Sequence, residues 1–166
     1  MSENKMREIR IEKLVLNCSG IGDKIERAGK LLKFLTNKKP MFIKSKRRIP
    51  AFNVRPGIVT GCKVTIRNKK EIEALMKKLL AALENKLKKK QFRDGFVSFG
   101  IKEYIEIPGV EYQRDIGIVG LDATLVLKRS GERVARRKNK KGPVHQKISS
   151  EETRNFIKEK FNVEIK

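Results

Sequence analysis

The sequence has no tryptophan, one histidine (His145) and two cysteines, Cys18 and Cys62. Two cysteines cannot supply the disulfide framework of a small secreted domain, and their separation is not the C-x2-C spacing of a zinc site. Each sits in a strand-like apolar setting, where a free thiol behaves as a small hydrophobe. His145 has no carboxylate or thiol evident beside it with which to move a proton. There is no P-loop and no H-x3-H motif. Gly20-Ile21-Gly22 lacks the third glycine of a dinucleotide fingerprint, because residue 25 is Ile25. An enzyme, and a metal or organic cofactor, are therefore not expected. Nor does any stretch approach the ~18 apolar residues of a membrane span. The polar start Met1-Ser2-Glu3-Asn4-Lys5 leads into no apolar run, so no secretory signal is expected. A cytoplasmic protein follows.

Acidic residues are the other shortage. Against 41 Lys and Arg stand 19 Asp and Glu, a formal net charge of +22. A compact chain so charged repels itself, and a densely anionic partner relieves the repulsion. Nucleic acid is the usual one, since neutralised phosphates release condensed counterions. The excess is concentrated. Lys38 to Arg67 carries nine basic residues and no acid; Lys128 to Lys147 carries nine and one acid, Glu132. A solvated sheet face is the plain alternative for the first window, a disordered solubilising loop for the second.

Hydropathy patterning predicts a strand over 9–18 and a helix after it, capped by Asp23 with Glu26 as reciprocal partner. Ile25, Ala28, Leu31, Leu32 and Leu35 form that helix's apolar stripe. Residues 41–43 and 61–67 read as strands flanking a basic loop with the turn pair Pro56-Gly57. Cys62, Val64 and Ile66 face one way; Lys63, Thr65 and Arg67 face the other, about 6.6 Å apart. Asn68 and Glu71 form a second capping box. The helix it opens carries Ile72, Leu75, Met76, Leu79, Leu80, Leu83 and Leu87, with Lys88-Lys89-Lys90 at its C-terminal end. Strands are expected within 97–107 and over 123–127. A mobile basic loop follows at 130–147, then a helix capped by Ser149 and Glu152, and an edge strand near 162–165. The order predicts an α+β fold, a mainly antiparallel sheet with helices packed on one face and long basic loops. Residues 1–166 read as a single domain, with loops protruding at about 49–60 and 130–147.

The basic strand and hairpin offer Lys and Arg to phosphates, while Asn17 and Thr65 can donate to sugars or bases. Phe52 either stacks on a base or ribose or packs back onto the loop base. Rivals are a general nucleic-acid chaperone, an RNA-modifying enzyme, and a peripheral membrane protein using the leucine stripe of 69–90.

The order and spacing of several segments resemble a known family. They are Met6-Arg-Glu-Ile-Arg10 with Ile11-Glu-Lys-Leu-Val-Leu-Asn17, Gly20-Ile-Gly22, Lys39-Pro40, Lys44-Ser-Lys-Arg47, Phe52-Asn-Val-Arg-Pro-Gly57, Gly61-Cys-Lys-Val-Thr-Ile-Arg67, Phe99-Gly-Ile-Lys-Glu103 and Asp115-Ile-Gly-Ile-Val-Gly-Leu-Asp122. Together they resemble the universal large-subunit ribosomal "L five" family in its archaeal form, whose eukaryotic counterpart is "L eleven". The resemblance covers essentially the whole chain. It implies a structural constituent of the ribosome that binds 5S ribosomal RNA in the central protuberance beside a protein of the "L eighteen" family. It also implies contact with 23S ribosomal RNA and with P-site tRNA through a protruding loop, and it implies no membrane partner. Matched to this chain, the rRNA-binding candidates are Asn17, Lys38, Lys44, Lys46, Arg47, Lys63, Thr65 and Arg67. The tRNA-binding candidates are Phe52, Asn53 and Arg55.

Overall fold

The computed structural model describes residue 4 and residues 6–143 and 146–166; the expectation for His145 lies outside the described residues. Strand β1 (Arg10–Ser19) buries Ile11, Leu14, Leu16 and Cys18. Helix α1 (Asp23–Thr36) follows, but the expected cap does not form. Gly22, at φ 64°, is the N-cap, Asp23 is already helical, and no side chain caps the end. Glycine enters that left-handed region without steric cost, while Asp23 and Glu26 still sit at the positive end of the helix dipole. Ile25, Ala28, Leu31 and Leu32 are buried as the periodicity predicts, and Leu35 is half-buried. Asn37, at φ 52°, closes the helix by donating its N–H to Lys33 O.

Strands β2 (Met41–Lys44) and β3 (Val59–Ile66) form an antiparallel hairpin. Helix α2 (Lys69–Ala81) starts as expected at Asn68, whose side chain accepts from Lys70 N. Glu71 accepts from the Asn68 side-chain amide (2.9 Å), so this capping box is closed between side chains. The helix does not reach residue 90. Glu84 and Asn85 both take left-handed φ, and Leu87 is buried in strand β4 (Lys86–Leu87). Periodicity cannot separate a long helix from a shorter one followed by a buried strand residue at the same spacing. Lys89–Gln91 form a 3-10 turn, and strands β5 (Phe92–Arg93) and β6 (Phe96–Ile101) a tight antiparallel hairpin. A 3-10 turn at Tyr104–Glu106 stands where part of a strand was predicted.

Strand β7 (Leu121–Lys128) precedes one short helix, α3 (Arg133–Arg136), inside the basic loop. Helix α4 (Ser150–Phe161) carries the full predicted box: Glu152 N donates to Ser149 Oγ (3.2 Å) and Ser149 N to Glu152 Oε2 (3.0 Å). Strand β8 (Glu164–Ile165) is the predicted edge strand, pairing in parallel with β4 in a separate two-stranded sheet.

The main sheet has six strands in the order β2-β3-β1-β7-β6-β5 and is antiparallel; with the helices, the fold is α+β. The chain forms two compact units. One comprises Met1–Leu14, Arg67–Phe99 and Thr124–Lys166. Its buried side chains include Ile72, Met76, Leu79, Leu80, Val97, Leu125 and Ile157. The stripe of α2 is thus core, and no helix among the described residues is long and apolar enough to cross a membrane. The other comprises Val15–Ile66 and Gly100–Ala123, with Leu16, Leu31, Leu32, Cys62, Tyr104 and Ile107 among its buried side chains.

Candidate nucleic-acid interface

The β2–β3 hairpin carries most of the predicted site. Met41 pairs with Lys63 and Phe42 with Cys62. Helix α1 covers the Phe42 side, since a Cβ at Gly29 would fall 3.0 Å from the Phe42 ring. Cys62, Val64 and Ile66 are buried, and Lys63 and Thr65 take the alternate positions, half-buried. On the neighbouring strand, Gly20 N donates to Thr60 O (3.1 Å), and a Cβ at Gly61 would fall 3.2 Å from Cys18 O. Both contacts fit one antiparallel register, which sets Asn17 opposite Lys63. Asn17, Lys63 and Met41 therefore form a row across three strands, on the face away from α1. Arg67 lies one residue past β3, exposed, and is counted with the other unit.

Cys18 and Cys62 are both free and buried. The hydrogen bond with Cys62 first, and burial second, push the Cys18 thiol far above the usual thiol range. The same contact pulls the Cys62 thiol the other way, below the usual range, with its burial opposing that shift. Among the described residues no group of three or more His, Cys, Asp or Glu could hold a metal ion.

The loop joining the strands runs over 45–58, slightly earlier than the predicted 49–60, and its backbone is tied. Ser45 N donates to Ile58 O (2.8 Å), Gly57 N to Ser45 O (2.9 Å), and Ser45 Oγ to Arg47 O (2.7 Å). At the tip, Ile49 and Val54 exchange both backbone bonds (2.9 and 3.1 Å) around a 3-10 turn at Pro50–Phe52, closed by Asn53 at φ 53°. The register shifts between Ile43 and Lys44, an irregularity that bends a hairpin. Phe52 is 68% exposed, while Val54 is buried. Of the two readings of Phe52, packing back is only partly realised: the ring borders a hollow of about 380 Å³ with Ile21, Ile49 and Val54 yet keeps most of its surface open.

Lys44, Lys46, Arg47, Arg48 and Arg55 are exposed. Lys38, just past the α1 cap, is half-buried and donates its N–H to Thr36 Oγ1 (3.3 Å). None of Lys44, Lys46, Arg47, Arg48, Arg55, Lys63 or Arg67 is in an ion pair among the described residues. Several acids elsewhere do pair, among them Glu152 with Arg129 (2.7 Å), Glu73 with Lys160 (2.6 Å) and Glu84 with Lys86 (2.6 Å). The hairpin is thus a supported, unneutralised cationic surface.

The second basic window lies in the other unit. Arg129 donates to Lys147 O (3.3 Å) as well as pairing with Glu152, so one side chain ties both ends of loop 130–147. Sequence reading missed a third cationic gathering, at Lys89, Lys90, Arg93 and Arg154, because its members come from separate segments.

A family model described as "Ribosomal protein L5" matches residues 4–55, and the model of the same ribosomal family's C-terminus matches residues 59–159. Three curated relatives carry the name large ribosomal subunit protein uL5. That of Nanoarchaeum equitans is 42% identical over 168 residues, covering 98% of this chain and 99% of the relative. That of Sulfurisphaera tokodaii is 43% identical, covering 98% and 94%. That of Methanosphaera stadtmanae is 40% identical, covering 98% and 99%.

Proposed function

The chain belongs to the ribosomal protein L5 family, and from that premise we propose that it binds 5S ribosomal RNA in the central protuberance, contacts 23S ribosomal RNA, and reaches P-site tRNA through the loop at 45–58. It is a structural protein of the large ribosomal subunit and not an enzyme, and it works in the cytoplasm as part of the ribosome. Residues 1–166 act as one RNA-binding domain, beside a 5S-binding neighbour of the "L eighteen" family.

The observation that carries the reading is the hairpin surface: Lys44, Lys46, Arg47, Arg55 and Lys63, outside any ion pair among the described residues, on a hydrogen-bonded scaffold. Lys38, Lys44, Lys46, Arg47, Lys63 and Arg67 neutralise phosphates of ribosomal RNA, and Asn17 and Thr65 contact sugars or bases. Arg supplies a planar fork to phosphate, Lys a compact point charge. At the loop tip, Phe52 stacks on tRNA while Asn53 and Arg55 contact its backbone. No bond is made or broken. The backbone bonds of Ser45, Ile49 and Val54 set the loop's conformation before RNA arrives, so little ordering entropy opposes binding.

A residue-resolved protein–RNA crosslinking map of the native large subunit tests this reading. The expected result is crosslinks from residues 44–47 and 63–67 to 5S RNA, and, in ribosomes holding P-site tRNA, from residues 52–55 to that tRNA. Crosslinks from these segments only to proteins would overturn it.

A further inference from the structure

We propose that the unit built around α2 and α4 carries a second RNA site, a cleft that takes a single-stranded segment of ribosomal RNA. The cleft measures about 780 Å³ and is lined by Lys89, Lys90, Arg93 and Arg154, with Phe96 at its edge and Asp94 its one carboxylate. The four cations come from the 3-10 turn, β5 and α4. None is in an ion pair among the described residues, so four positive charges face one negative charge in a single concavity.

The rim is held firmly. Lys89 N donates to Lys166 O (2.8 Å), Lys88 N to Gln91 Oε1 (2.7 Å), and Arg93 pairs with Phe96 across the β5–β6 hairpin. Gly95 N in the hairpin turn donates to Thr153 Oγ1 (3.2 Å), which sets the turn beside Arg154. The Arg154 Nε–H is buried without a hydrogen-bond partner among the described residues. A donor left so is costly; the terminal N–H groups of the same guanidinium, which lines the cleft, are the ones that can fork onto an anion.

Phe96 decides the class of partner. It is 38% exposed although its neighbour Val97 is fully buried. An open aromatic ring beside a cationic track is the arrangement that binds single strands: phosphates follow the charge and an unpaired base stacks on the ring. An acidic protein tail would satisfy the cations and leave the ring unused.

The proposal rests on the ribosomal reading only for where the RNA comes from. Its test uses the full chain, a fluorescein-labelled single-stranded 15-nucleotide RNA and 5S RNA, with binding followed by anisotropy across KCl concentrations. The variant K89Q/K90Q/R93Q should lower the salt slope for the oligonucleotide by about 2, from about 0.7 per lost contact, with unchanged thermal unfolding. The milder Phe96→Leu should weaken oligonucleotide binding while leaving the slope alone. In native subunits, Phe96 should crosslink to ribosomal RNA. An unchanged slope in the triple variant, or a Phe96 crosslink to protein instead of RNA, overturns the proposal. If wild type fails to bind 5S RNA while the triple variant still loses oligonucleotide binding, the 5S reading fails and the cleft stands.

Discussion

Arg67 and Arg55 are both exposed arginines near the hairpin, yet the proposed roles separate them. Arg67→Ala should weaken 5S RNA binding and lower its salt slope by about 0.7–0.9, one phosphate contact; a salt titration that leaves affinity and slope unchanged rejects the assignment. Arg55→Ala should leave 5S binding nearly intact and weaken retention of P-site tRNA; equal retention by mutant and wild-type ribosomes counts against it. Phe52 and Val54 separate binding from folding in the same loop. With 68% of its surface open, Phe52→Ala should change stability by less than about 0.5 kcal/mol, whereas buried Val54→Ala should cost about 1–3 kcal/mol. Denaturant midpoints for the two variants, if equal, would show that the loop tip has no anchor. The burial of each thiol and the alternation of β3 were legible at this scale, because a period of two needs only neighbouring residues; the meeting of Cys18 with Cys62 was not.

At the scale of elements, the clearest device is the capping box of α4. Ser149→Ala should cost about 0.5–2 kcal/mol, read as a lower unfolding midpoint. Glu152 adds a pH dependence. The Ser149 backbone N–H first, and Arg129 second, hold its carboxyl below the ordinary 4.5. A depressed carboxylate stabilises the fold at pH values above its unfolded pKa, and the contribution is lost as pH falls through the folded value. The advantage of wild type over Glu152→Gln in melting temperature should therefore be full at pH 7 and fade below about pH 4. It should be modest, because the side chain is 42% exposed and screened by water. A difference that grew on acidification would contradict the capping role. Helix α2 teaches the complementary lesson. Leu83 and Leu87 keep its period, yet the chain turns at Glu84-Asn85 so that Leu87 can pair with β8. A pairing between residues 87 and 165 has no signature in a local window.

For the whole molecule, charge acts with opposite signs on folding and on binding. Without RNA, the excess of +22 repels itself, and added salt screens the repulsion. Melting temperature of the free protein should rise between 50 and 500 mM KCl, by about 3 °C per kcal/mol of repulsion relieved. Over the same range affinity for 5S RNA should fall steeply. Calorimetry of free protein beside anisotropy with RNA would expose a failure: a melting temperature that fell with salt would show that ion pairs, not net repulsion, govern the folded state.

Composition, alternation and capping signals by themselves determined the α+β class, the starts of α2 and α4, the strand faces and the concentration of cations in 38–67, because each depends on residues a few positions apart. Only the tertiary structure decided the end of α2 and the gathering of Lys89, Lys90, Arg93 and Arg154. Those features require the chain to meet itself across tens of residues, where packing and backbone pairing outweigh local preference.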